Sequence, residues 1–300
     1  MNGAAATPLI FGEVLFDRFA DGSSVLGGAP FNVAWNLQAF GSTPLLVSRV
    51  GKDELGARIR QALQDWGMSC RCLQQDPLHA TGTVEVSLQD GEPAFDIVSE
   101  RAYDHIEPID LTGVKPALLY HGTLAARQPV SAAALKALRT AITAPVFVDI
   151  NLRDPWWRPD QVVALLQGAD TIKLNRDELE RLMTGPLELV EKARQLLQSS
   201  GARQLILTCG AAGARIVTAA AEPLQVKPEP QTRVVDTVGA GDAFASVMLL
   251  GQLRGWPRQV TARRAQEFAA AVVGLRGATT TERAFYTTFT TRWRDDESTT

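Results

Sequence analysis

Cysteine and histidine are both scarce in this 300-residue chain, with three of each. Cys70, Cys72 and Cys209 cannot all pair, and Cys70-Arg71-Cys72 lacks the second ligand pair that a zinc site needs. They are expected to be reduced thiols, which points to a cytoplasmic protein. His79, His105 and His121 show no pattern that suits a triad or a metal centre, so structural or surface positions are expected. No apolar run approaches the ~18 residues of a membrane span, and the opening MNGAAATPLIFGEVLF has no basic segment. No membrane partner or targeting segment is expected. Neither sign of charge is in excess: 30 Lys and Arg against 33 Asp and Glu leave a formal −3, which gives no electrostatic case for nucleic acid. Two common phosphate loops are also missing. There is no G-x-x-x-x-G-K-[ST], which excludes a P-loop enzyme, and no G-x-G-x-x-G follows the first strand, which weakens a dinucleotide-binding oxidoreductase.

What is present is alternation. Short apolar runs that end in glycine or a polar turn, at Leu9–Asp17, Pro44–Gly51, Ala117–Leu124, Pro145–Leu152, Asp170–Asn175 and Gln204–Gly210, read as strands. Helical patterns lie between or after them, at Ser131–Ile142, Gln161–Gly168, Leu187–Ser199 and Arg258–Leu275. This predicts an α/β fold with a mostly parallel central sheet flanked by helices, and ligands beyond the carboxyl ends of the strands. Thr81–Glu100 departs from it, alternating with period two on both sides of Asp90-Gly91, and reads as a β-hairpin: an edge ornament or a flap over the crevice. The polar, glycine-rich RFADGSSVLGG after the first strand favours a flap. The expectation is one domain over residues 1–300, with lid segments at about 17–26 and 81–105, and a solvated tail RDDESTT.

The stretch VVDTVGAGDAFASVMLLG sets Asp242 at the start of an apolar helix, Ala243–Leu250. Gly239, Ala240 and Gly241 let a ligand approach the backbone, and the helix start favours an anion. A carboxylate there is consistent with phosphoryl transfer, with Asp242 as general base for the attacking hydroxyl. The plainer reading is that Asp242 complements the helix dipole. A second patch, LGGAPFNVAWNLQAFG, has Gly27 and Gly28 for close approach, Pro30 for a helix start, and Asn32 with donors and an acceptor that suit sugar hydroxyls.

Together, DTVGAGDAF and the Gly-Gly-x-x-x-Asn patch resemble the ribokinase-like carbohydrate kinases, the PfkB family, over roughly Leu9 to Thr280. GEVLFD and the aromatic neighbourhood look most like bacterial fructokinases. The resemblance implies a ribokinase-like fold with a small β-sheet lid over the sugar, and an anion hole at Gly239–Gly241. It implies that Asp17, Gly28 and Asn32, with Gly27, hold the sugar, and that Arg101 and Tyr103 are further substrate contacts. In KLNRDE, Asn175 and Glu178 match an N-x-x-E arrangement that organises phosphates and Mg2+, through water at Glu178. Thr208, Gly210 and Gly213 line the nucleotide site, and Asp236 borders a site for a monovalent cation such as K+. Arg153 in DINLRDPWW suits a phosphate or a sugar-acid carboxylate, or pairs structurally with Asp154 or Glu178. Ala270 stands where relatives commonly carry an asparagine beside adenine.

The function implied is an ATP-dependent fructokinase with Mg2+, and a homodimer is a further expectation. The alternatives are a 2-keto-3-deoxygluconate kinase, a ribokinase, a nucleoside kinase, or a binding regulator without turnover.

Overall fold

The apolar run from Leu9 to Asp17 does not form one strand. The computed structural model, which describes residues 7–89, 92–228 and 235–298, divides it into β1 (Thr7–Phe11) and β2 (Leu15–Phe19). The break is at Gly12, whose φ of 148° disfavours any side chain and whose N–H donates to Val47 O at 3.1 Å. Here the chain leaves one sheet for another.

β3 (Ser24–Gly27), α1 (Ala29–Ala39), β4 (Leu45–Gly51), α2 (Glu54–Asp65) and β5 (Leu73–Asp76) follow. Next come β6 (Gly82–Gln89), β7 (Glu92–Ile97), β8 (Pro116–His121), α3 (Pro129–Ala141) and β9 (Val146–Asp149). After them are α4 (Pro159–Leu166), β10 (Thr171–Asn175), α5 (Arg176–Leu182), α6 (Leu189–Ser200) and β11 (Gln204–Thr208). The last elements are β12 (Ala214–Val217), β13 (Leu224–Val226), α7 (Ala240–Arg254), α8 (Arg258–Val272) and α9 (Arg283–Ser298).

The nine-stranded sheet has the order β13-β12-β11-β10-β9-β8-β1-β4-β5, parallel from β11 to β5 and antiparallel at β12 and β13. Alternation sorts its side chains. Leu9 and Phe11 pack with α3, α4 and α6, whereas Ile10 packs with α1, α7 and α8. Such a sheet is covered on both faces, which is why its strands read as apolar runs. Each fully buried aliphatic side chain contributes ~1.5–3 kcal/mol. Among the described residues no helix is long and apolar enough to cross a membrane.

A separate four-stranded sheet, β3-β2-β6-β7, joins the two segments that broke the βα pattern. β2 pairs parallel with β6, and the β6–β7 hairpin is in register from Val84↔Ile97 to Gln89↔Glu92, while its Asp90-Gly91 turn lies outside the described residues. The sheet starts at Leu15, earlier than expected, and residues beyond Ile97 leave it for a buried 3-10 turn, Ala102–His105. The expected tail is exposed at Arg294 and Asp295, as read, but its described part is helical. α9 continues to Ser298, and Asp296 accepts from Arg263 at 2.9 Å. A cluster of aromatic rings, Trp35, Trp66, Phe40, Phe268, Tyr286 and Trp293, clamps α9 to α1 and α8.

Candidate active site

α7 begins three residues before the expected Ala243, so Asp242 lies in its first turn. Gly239 caps the helix in the left-handed region, φ 81°, and a Cβ there would lie 2.2 Å from the Ala278 Cβ, so only glycine fits. The first N–H groups of the helix, Gly241 and Asp242 among them, have no intrahelical acceptor, so the helix start offers donors that suit an anion. Asn32, in the first turns of α1, donates from Nδ2 to Asp242 Oδ2 at 2.8 Å. One turn further on, Asn36 donates to Ser246 Oγ at 3.2 Å, and Ser246 Oγ donates to Asp242 O at 2.7 Å. These bonds lock α1 to α7 and join the two sequence patches. Asp242 keeps some exposure, yet burial pushes its pKa up; Asp149 adds to that, while Asn32, Lys173 and Arg153 oppose it.

Beneath the helix start is a charged pair that sequence reasoning missed. Lys173 Nζ donates to both Asp149 oxygens, at 2.7 and 2.9 Å, and Tyr120 donates to Oδ2 at 3.1 Å. Lys173 and Asp149 are buried, and a Cβ on Gly241 would lie 3.5 Å from Lys173 Nζ, so the cation lies directly beneath the helix start. Burial pushes the Asp149 pKa up against the pull of Lys173, and Asp149 holds Lys173 charged despite burial. The signal was a lysine inside an apolar strand, TIKLN.

Asp17 is within β2, and a Cβ on Gly27 would lie 3.3 Å from its Oδ2. Burial raises its pKa to about 6, against Arg153 and helped by Asp236. Gly28, with φ 107°, packs directly on Glu13. Glu13 is a second missed residue: it is 4% exposed, and burial, reinforced by Asp242 and opposed by Arg153 and Arg127, raises its pKa to about 7. A carboxylate inside the apolar GEVLF was its only signal.

Arg153 is exposed and, among the described residues, forms no ion pair. Asp154 instead accepts from Arg181 at 2.7 Å and from Trp157 Nε1 at 2.8 Å, and both Glu178 oxygens accept backbone N–H groups. Neither structural pairing offered for Arg153 forms. The placement of Tyr103 is a correction. It is fully buried, with its ring under Gly82, where a Cβ would come within 2.7 Å, and its hydroxyl accepts from Arg127 at 3.0 Å, so it lines no open surface. Arg101 is partly exposed, with its Nε buried and unpartnered. Arg127, which was not singled out, holds both Asp104 oxygens at 2.8 and 2.9 Å, donates to Val98 O at 3.0 Å and stacks 4.4 Å over Trp156.

Further along the sheet, Asn175 and Glu178 form a capping box at the start of α5: Asn175 Oδ1 accepts from Glu178 N at 2.9 Å, and Glu178 Oε2 accepts from Asn175 N at 2.8 Å. Glu178 Oε1 also accepts from Leu152 N at 3.0 Å, tying the loop after β9 to α5. Thr208 is beside Asn175 in register. Gly210 has open space where a side chain would be, but a Cβ on Gly213 would lie 2.0 Å from Val226 O, so that glycine serves the β12–β13 packing. Asp236 accepts from Val238 N at 2.9 Å and Gly277 N at 3.2 Å, linking the loops before α7 and after α8.

The histidines do meet partners the sequence did not reveal. His79, His105 and Glu100 bring their ligand atoms within 4.8 Å of one another. The two rings are stacked, centroids 3.6 Å apart and planes 11° apart. An ion in the plane of one ring would then be more than about 3 Å from the other, against metal–nitrogen bonds of about 2 Å, so this arrangement is a stack and not a metal centre. His79 Nδ1 is 3.0 Å from Asp76 Oδ2, and His121 is buried with Nδ1 on Gly122 O at 2.9 Å.

Comparisons with known proteins identify the family. The profile of the pfkB family carbohydrate kinases matches residues 6–284. A fructokinase of Escherichia coli is 30% identical over 257 residues, covering 81% of this chain and 83% of that protein. An aminoimidazole riboside kinase of Salmonella typhimurium is 30% identical over 270 residues, covering 85% and 83%. Among solved structures, a fructokinase of Vibrio cholerae in its fructose, ADP and calcium ion bound form superposes with a TM-score of 0.77 at 25% identity, covering 95% of this chain and 99% of that one. With the family profile spanning residues 6–284 and the fold in agreement, the chain belongs to the PfkB family of carbohydrate kinases.

Proposed function

We propose that this protein transfers the γ-phosphoryl group of ATP to the 6-hydroxyl of D-fructose, with Asp242 as general base. The observation that carries the reading is the junction of α1 and α7: a carboxylate with a raised pKa, held by Asn32 beside a helix N-terminus with Lys173 beneath it. A hydroxyl proton needs an acceptor and the developing phosphoryl charge needs N–H donors, and this site offers both within one helical turn. Gly239, Ala240 and Gly241 form the anion hole; Asp17, Gly27, Gly28 and Asn32 surround the sugar, with Arg101 at its edge. Asn175, Thr208 and Gly210 border the nucleotide, with Gly213 shaping the turn. Bound Mg2+ would neutralise phosphate charge. Glu178, with both oxygens on backbone N–H groups, would hold it through water, and Asp236 would border a K+ ion. The four-stranded sheet acts as a lid within one domain, and the setting is the cytoplasm.

The fructokinase relatives support the ketose. The unpaired Arg153 favours one second reading, in which it clamps the carboxylate of a sugar acid such as 2-keto-3-deoxygluconate. A coupled ADP-release assay across fructose, ribose, 2-keto-3-deoxygluconate and nucleosides separates them: fructose is expected to give the highest kcat/KM. If the sugar acid wins and Arg153→Ala erases its preference, the ketose assignment fails. Asp242→Asn should lower kcat by roughly 10²- to 10⁴-fold while sugar binding persists. Wild-type kcat in that variant would remove Asp242 from the chemistry, and no turnover by the wild type would favour a regulator.

A further inference from the structure

Glu13 lies where the chain leaves β1 for the small sheet, and its Oε2 is buried with no hydrogen-bond partner. Asn32 Oδ1 is in the same state, although Nδ2 of that side chain is bonded to Asp242. The two residues meet at the start of α1. A Cβ on Gly28 would lie 2.8 Å from Glu13 O and 3.4 Å from Glu13 Cγ, and Asn32 N donates to Gly28 O at 2.8 Å. Two buried acceptors without donors are therefore gathered beside the base. Buried polar groups left unpaired are costly, and a ligand that supplies the donor recovers that cost.

Besides its own backbone N–H, which lowers its pKa, the charged groups acting on Glu13 are Asp242 on α7, Arg153 after β9 and Arg127 before α3, while Tyr103 and Tyr120 experience its charge in turn. Among the described residues none of these donates to Oε2. A carboxylate only accepts. The matching ligand group is thus an O–H, and not a phosphate or carboxylate, whose charge would add to those of Glu13 and Asp242.

We propose that Glu13 is a specificity-determining residue of the acceptor site, whose Oε2 accepts a hydrogen bond from a second sugar hydroxyl while Asp242 acts on the first. This rests on the kinase reading. The hydroxyl favours ionised Glu13, and without it burial, reinforced by Asp242, holds the carboxyl's pKa at about 7, so sugar binding releases a proton from it around neutrality.

The test uses the full chain and D-fructose, titrated calorimetrically into wild type and Glu13→Gln in two buffers of different ionisation enthalpy, alongside kinetics from about pH 5.5 to 8.5. Wild type should release protons on binding, with sugar affinity rising as pH rises through neutrality. Glu13→Gln should bind fructose roughly 10- to 100-fold more weakly, keep the KM for ATP, and lose that proton release. A deoxyfructose that binds weakly to wild type, but no more weakly than fructose to Glu13→Gln, identifies the bonded hydroxyl. Unchanged fructose affinity with the same proton release overturns the proposal. So does weaker binding with proton release intact and every deoxy sugar additive. If Glu13→Gln loses its cooperative melt, Glu13→Asp, one methylene shorter, should keep proton release while losing affinity; wild-type affinity there is equally adverse. Absence of ADP release by wild type would sink the kinase reading alone, because the binding readout still decides the role of Glu13.

Discussion

Glu13 and Asp17 are carboxyls placed where ionisation costs stability, with pKa values raised to about 7 and about 6. For Glu13 the folded chain retains a proton that the unfolded chain releases near the ordinary 4.5. The stabilisation from that proton is complete below about pH 4.5 and is lost as pH rises to about 7, by up to about 3 kcal/mol. Without ligand, the Tm of Glu13→Gln minus that of wild type should therefore increase across this window, measured by calorimetry at fixed ionic strength. A flat difference would show that the carboxyl is not buried in solution. Asp76 has the opposite sign: N–H groups of Leu78 and His79 hold its pKa at about 2, and its contribution disappears as pH falls from about 3.8 towards 2. Of these residues only Asp17 was marked as functional from the sequence, since burial of Glu13 depends on Gly28, fifteen residues later, folding over it.

At the scale of elements, the start of α7 and the ends of β9 and β10 do the positioning. Gly239→Ala places a methyl in a left-handed residue against Ala278, and overpacking of this kind costs about 1–3 kcal/mol. The variant should melt earlier and lose kcat more than sugar affinity, because the N–H groups of the helix start are displaced; Tm and ADP release report both. Wild-type Tm and kcat would show that the Ala278 loop yields freely. Lys173→Met leaves the Asp149 carboxylate buried without its cation, and breaking such a pair costs about 3–5 kcal/mol. Lys173→Met with Asp149→Leu should recover much of that loss in denaturant unfolding, and a double variant no better than the single one would assign the cost to shape instead of charge. The βα alternation was legible because the sheet buries both faces. The split of Leu9–Asp17 was not, since apolar residues continue on both sides of Gly12-Glu13 and only the second sheet tells β1 from β2.

For the whole molecule, the proposed reaction belongs to the parallel sheet, and the lid reading of the four-stranded sheet makes a separate prediction. Thr81 anchors the hairpin base, donating to Asp53 from its N–H at 2.8 Å and its hydroxyl at 2.6 Å, and Arg127 ties Val98 to the 3-10 turn. With both ends held, a lid moves as a sheet and not as a loose loop. Hydrogen exchange in β2, β3, β6 and the described part of β7 should slow at saturating sugar, with little change in β9–β11. Equal exchange with and without sugar would mean that the small sheet does not close.

The sequence by itself determined the fold class, the family and the two glycine patches, because these depend on local periodicity and on residue types that only a narrow set of turns accepts. Asp242 and Asn32 were legible for the same reason. What only the tertiary structure decided is which groups share one volume: Asn32 bonded to Asp242 across 210 positions, Lys173 under Gly241, Glu13 beneath Gly28, and Tyr103 withdrawn behind Gly82. Burial and electrostatic coupling act through space, so a carboxylate's partners and proton affinity become defined only when distant strands and helices close around it.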